Sequence, residues 1–157
     1  MTIDPYVATK DEARRISLGP LGIEMRVLLP ATATGGQLAM IEETTAPGQG
    51  PPLHVHHRQT ETFYCLEGSY AFLVGDRRFT TAPGAVAVVP PGVPHAFRNV
   101  ADRPSRQIFT LTPAEEGEAF FQELAAVLAR GGEPDQIALA ALARRFGTEF
   151  VGPPLDG

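Results

Sequence analysis

The chain has almost no cysteine. Its one thiol, Cys65, has no second cysteine to pair with, which excludes an internal disulfide. No long apolar run is present, so no transmembrane helix is expected. The start, MTIDPYVATKDEARR, lacks a basic segment followed by an apolar one, which excludes a secretory signal and makes a cytoplasmic location the expectation. Basic residues are in deficit. Thirteen Lys and Arg stand against 18 Asp and Glu, for a net charge of −5. Nucleic acid needs a basic face to meet its phosphates, so it is not an expected partner. Internal repeats and low-complexity segments are also missing.

What is present is enough for one domain. A chain of 157 residues, 43% hydrophobic, can bury a core of its own. Glycine (16) and proline (15) are spread through the chain as punctuation, the mark of many short strands and turns. From Leu21 the apolar residues alternate, with Ile23, Met25, Val27 and Leu29 on one face. Period two is the signature of a strand with one buried side. Further strands are read at 37–45, 53–57, 62–67, 70–74, 77–81, 85–89, 95–100 and 106–112. Gly75-Asp76 suits a type II′ hairpin turn. The run Ala85–Val89 is continuously apolar and reads as a strand buried on both faces. Closely spaced short strands predict an all-β antiparallel barrel or double-sheet jelly roll.

The pattern changes at residue 112. Thr112-Pro113-Ala114-Glu115 reads as a capping box, and Phe120, Phe121, Leu124, Val127 and Leu128 recur at helical spacing. A second helix is expected from about Pro134 to Phe146, then an extended tail. Three parts follow: an N-terminal segment at 1–20 with a weak helical turn at Asp11–Ile16, a barrel at 21–112, and a helical extension at 113–157.

All four histidines fall in two of the extended segments. His54, His56 and His57 lie in GQGPPLHVHHRQTETFYCLEG; His95 lies in GAVAVVPPGVPHAFRN. On a strand, residues two apart share a face, so His54 and His56 point together and His57 points away. A bend over residues 57–60 would bring Glu61 beside the pair. His54, His56, Glu61 and His95 then offer three imidazoles and a carboxylate, a set suited to first-row transition metals. His57 is a rival ligand if the strand is bulged. Cys65 shares the Glu61 face and reads as a buried, inert thiol.

These two segments resemble the paired motifs of the cupin superfamily. The first motif is met by Gly48, His54, His56, Glu61 and Gly68; the second by Gly84, Pro90, Gly92, His95 and Asn99. The resemblance implies a cupin β-barrel (a double-stranded β-helix, or jelly roll) with metal-ligand roles for His54, His56, Glu61 and His95. The motif glycines and Asn99 are expected to serve the fold. The wording of both motifs is similar to small single-domain proteins related to quercetin 2,3-dioxygenase. That implies one divalent transition metal (Fe, Ni, Mn, Cu, Co or Zn), a small-molecule substrate, and oxygen chemistry on an enol or aromatic compound, with Glu61 doubling as general base. Phe63, Phe72, Phe97 and Phe109 are candidates for the wall of the pocket. An isomerase, lyase or cyclase, and a non-catalytic binding protein, stay open beside the dioxygenase. A homodimer is expected, because exposed sheet edges need cover.

Overall fold

Alternation along the sequence becomes a buried face on strand after strand. In SRQIFTLT, Ser105, Gln107, Phe109 and Leu111 point inward while their neighbours are at most half-buried. The computed structural model describes residues 3–157; residues 1 and 2 of the N-terminal segment lie outside the described residues. Eleven strands are described: β1 Arg14–Leu18, β2 Ile23–Leu29, β3 Ala39–Thr45, β4 Pro52–His56, β5 Thr60–Glu67, β6 Tyr70–Val74, β7 Arg77–Thr81, β8 Val86–Val89, β9 His95–Asn99, β10 Ser105–Thr112 and β11 Thr148–Pro154. Two α-helices, α1 Gly117–Leu128 and α2 Gln136–Arg145, separate β10 from β11.

The strands form two antiparallel sheets. One has the order β1-β2-β3-β10-β5-β8 and the other β11-β4-β9-β6-β7. Phenylalanines join them. Phe63 of β5 meets Phe72 of β6 at 5.1 Å and Phe97 of β9 at 5.5 Å between ring centroids, with the rings edge to face. Each such ring contributes about 1.5–3 kcal/mol by burial, and the edge-to-face geometry about 0.5–1.5 kcal/mol more. No helix among the described residues is long and apolar enough to cross a membrane.

Two motif residues show why the fold needs them. Gly68 has φ +80°, and a Cβ there would collide with the Ser105 side chain. Asn99 is a junction post. Its Nδ2 donates to the carbonyls of Thr45 and Arg103, and its Oδ1 accepts from Ala101 N and Ser105 Oγ. At the hairpin, Gly75 has φ +60° while Asp76 stays out of the positive region, as a type II′ turn requires.

Three local expectations are corrected. The expected helical turn at Asp11–Ile16 gives way to β1, which pairs with β2 and buries Ile16 and Leu18. The expected capping box at Thr112–Glu115 does not form. Thr112 is still in β10, opposite Thr60, and the Ala114 and Glu115 N–H groups donate to Gln37 and Gly36 instead. Helix α1 therefore starts only at Gly117. The run Ala85–Val89 is not buried on both faces. It forms β8 at a sheet edge, and Val86 (59%) and Val88 (53%) are exposed. In β3 the buried set is Ala39, Ile41, Glu43 and Thr45, with Glu42 buried from the other side.

The C-terminal part positions the site. Phe120, Phe121, Leu124 and Leu128 of α1 are buried against the sheets. The start of α2 is capped by Asp135, whose side chain accepts from the Ile137 and Ala138 N–H groups. The tail does more than extend: as β11 it pairs with β4, setting Thr148 opposite His56 and Phe150 opposite His54.

Candidate metal centre

The two sheets meet at the predicted site. His54 and His56 lie on β4, and His95 opens β9 directly across from His54. Glu61 comes from β5 in the other sheet. All four side chains are buried. Each offers one ligand atom, and those four atoms lie within 4.8 Å of one another. The strand-face expectation therefore holds for His54 and His56. His57 points away as expected, exposed, with Nε2 3.0 Å from Glu149 Oε2. Cys65 is buried and free, its Sγ 3.9 Å from the Glu67 and Gly68 carbonyls.

Each imidazole is held by its Nδ1. His54 Nδ1 lies 2.8 Å from the Pro52 carbonyl, His95 Nδ1 2.9 Å from the Val93 carbonyl, and His56 Nδ1 3.1 Å from Thr148 Oγ1. A carbonyl can only accept, so His54 and His95 donate from Nδ1. That leaves Nε2 of His54 as the atom open to a metal, while Nε2 of His95 meets Glu61 Oε2; a ring anchored through Nδ1 is the usual outer arrangement around a metal-binding histidine.

The electrostatics agree with that reading. His95 Nε2 is 2.8 Å from Glu61 Oε2. Burial works against the His95 cation, but the Glu61 contact outweighs it and raises the pKa. Burial also pushes Glu61 upward, yet the His56 and His95 rings hold its carboxyl well below the usual range. Burial, with His95 and His56 close by, lowers His54 to about 3, so that ring is neutral. His56 Nε2 is buried and makes no directed hydrogen bond, although Glu61 Oε2 is 3.3 Å away. An orphaned ring nitrogen, rings anchored through Nδ1 and an anionic carboxylate, with their ligand atoms gathered within 4.8 Å, are what a divalent cation requires. The residues fit the group.

A cavity of about 40 Å³ adjoins His54, His56 and Glu61. That is too small for a flavonoid. Of the four predicted wall residues, Phe97 and Phe109 line it; Phe63 and Phe72 pack in the core beneath. Three further rings, Phe120, Phe121 and Phe150, come from the C-terminal part. A wider cleft of about 160 Å³ opens on the other side of Phe120 and Phe121 and also reaches His56.

Comparison with known proteins finds likenesses to this geometry. Residues 41–111 match the cupin domain model. Over that stretch the chain resembles a cupin domain. The quercetin 2,3-dioxygenase of Bacillus subtilis is 30% identical to this chain over 94 residues, covering 60% of it. The match spans only 27% of that longer relative. An uncharacterized protein of Methanocaldococcus jannaschii is 28% identical over 102 residues, 65% of this chain and 74% of that protein. Among solved structures, KdgF from Halomonas sp. superposes with a TM-score of 0.65 at 16% identity, over 73% of this chain and 99% of that one. The polyketide cyclase RemF from Streptomyces resistomycificus gives 0.60 at 20% identity, over 70% of this chain and 80% of that one. These two likenesses show a shared fold.

Some contributors carry no local signal in the sequence. Thr148 sits in a tail that reads only as extended, and its place on His56 depends on β11 pairing with β4. Glu43 also adjoins the cavity. Its signal was available: it stands in phase with Ala39 and Ile41, so a carboxyl falls on the buried face of β3.

Proposed function

We propose that this protein is a metal-dependent dioxygenase resembling quercetinase, acting on a small enol-bearing substrate. The observation that carries the reading is the donor set His54, His56, Glu61 and His95, of which His54, His56 and Glu61 line a largely apolar cavity. The partial identity with quercetin 2,3-dioxygenase supports it. The cavity narrows the substrate to a compact molecule, well below flavonol size, unless Phe120 and Phe121 give way.

A divalent metal held by these four residues would supply Lewis acidity for an enol oxygen and an open position for dioxygen. The protein's own part is to orient and to move a proton. Glu61 Oε2 is held by His95 Nε2. Its Oε1 has no hydrogen-bond partner among the described residues and is the atom to accept the enol proton. Because Glu61 is held below the usual carboxylate range, it is a weak base; transfer depends on the enol being acidified first. The phenylalanine walls keep bulk water from the anionic substrate. The same proposal includes a homodimer, with the exposed apolar edge strand β8 as the face that gains cover.

The test is oxygen uptake by metal-loaded protein with a panel of small β-diketones and α-hydroxyketones. Uptake should depend on metal and fall about 10²–10⁴-fold in Glu61→Gln. Loaded protein that consumes no oxygen with any of the panel would overturn the dioxygenase. Product formed equally well without oxygen would move the assignment to an isomerase, lyase or cyclase.

A further inference from the structure

Glu43 is an unexpected group to find where it is. The side chains lining the inner cavity are apolar except for four: His54, His56, Glu61 and Glu43. Three of these belong to the donor set. Glu43 does not, and its hydrogen bonds go elsewhere. Gln107 Nε2 donates to Glu43 Oε1 at 2.8 Å, and Thr45 Oγ1 donates to the same oxygen at 3.3 Å. Strand register separates the two carboxyls. Glu43 is level with Gln107 and Cys65, two inward-facing positions along β5 from Glu61. The cavity therefore has the donor set at one end, a carboxyl at the other, and hydrocarbon between.

We propose that Glu43 is the specificity-determining contact of this cavity: it receives an uncharged oxygen of the substrate whose other oxygen lies at His54, His56 and Glu61. The inference rests on the metal-centre reading and names the substrate class. That class is a short molecule with an enol at one end, an apolar middle, and a hydroxyl or carbonyl at the far end.

The chemistry of Glu43 supports this. It is 2% exposed, and burial pushes its carboxyl up to about 8, with the charge on Glu61 adding to the effect and the Gln107 and Thr45 bonds opposing it. At neutral pH it is an acid with a proton to donate. Oε1 is occupied by two donors, so that proton belongs on Oε2, which has no partner among the described residues. A hydroxyl or carbonyl can accept it. A substrate carboxylate would enter an apolar cavity already holding the Glu61 charge, which is unfavourable without a cation at that end. A merely structural role in the Gln107–Thr45 network would be met as well by glutamine, with no buried acid.

The experiment is a binding series on zinc-loaded protein by calorimetry. Butyrohydroxamate, 4-hydroxybutyrohydroxamate and the monohydroxamate of succinic acid share one metal-binding head and differ at the far end. Wild type should prefer the hydroxyl over the methyl terminus by about three- to tenfold, the worth of one hydrogen bond, and should bind the carboxylate weakest. In Glu43→Leu the hydroxyl preference should vanish, and in Glu43→Gln it should persist, since the amide still donates. Comparing two ligands within each variant cancels a general loss of stability. Equal binding of hydroxyl and methyl by wild type, or a preference that survives in Glu43→Leu, overturns the proposal. Zinc content, measured separately on each protein, reports on the metal centre. Failure to load zinc counts against the centre and the anchor together; full loading without discrimination counts against Glu43 alone.

Discussion

At the scale of single residues, the site depends on how each ring is held as much as on which residues converge. His56 illustrates this, since its Nδ1 is fixed by Thr148 Oγ1 and its Nε2 is left without a directed partner. Thr148→Val should leave the fold intact and weaken metal binding about 10–100-fold, the usual cost of losing such an outer contact, as read by competition with a chelating dye. A second prediction concerns Glu43 and pH. Burial pushes its carboxyl from an ordinary value of 4.5 up to about 8 in the folded chain. Between those values the folded chain keeps a proton that the unfolded chain has released. Each step up in pH there favours unfolding, so stability from this group is fullest below pH 4.5 and declines until the folded group ionises. The decline should be on the order of a few kcal/mol in denaturant titrations of metal-free protein, and Glu43→Gln should flatten it.

At the scale of elements, α1 and β11 do what the barrel strands cannot. Helix α1 places Phe120 and Phe121 between the inner cavity and the outer cleft. Phe120→Ala should lower stability by about 3–5 kcal/mol. It should also join the two spaces, so that ring-bearing hydroxamates bind more tightly than to wild type in the same calorimetric assay. Strand identity was legible from periodicity where a strand has one wet and one dry face, as β2 and β10 do. The hairpin at Gly75-Asp76 was legible because its turn chemistry is local. The start of α1 was not, because the N–H groups of Ala114 and Glu115 are claimed by Gln37 and Gly36, far away in sequence. The exposure of Val86 and Val88 was hidden for a related reason: composition does not say which strand ends a sheet.

At the scale of the whole molecule, the four candidate ligands were legible, and the cavity beside them was not. Spacing and face put His54, His56, Glu61 and His95 together, and the structure gathers their ligand atoms within 4.8 Å. The walls come from Leu18 at one end of the chain to Phe150 at the other, so no local pattern could report their shape. The proposed homodimer belongs to this scale as well. Sedimentation should give twice the chain mass, and a Val86→Lys, Val88→Lys double variant should sediment as a monomer if β8 is the face. The most direct check of the whole reading is metal stoichiometry by elemental analysis after loading with Fe, Ni, Mn, Co, Cu or Zn. One divalent ion per chain is expected for wild type, with affinity reduced at least tenfold in Glu61→Gln. No bound ion under any loading condition would contradict the metal centre on which the proposed function stands.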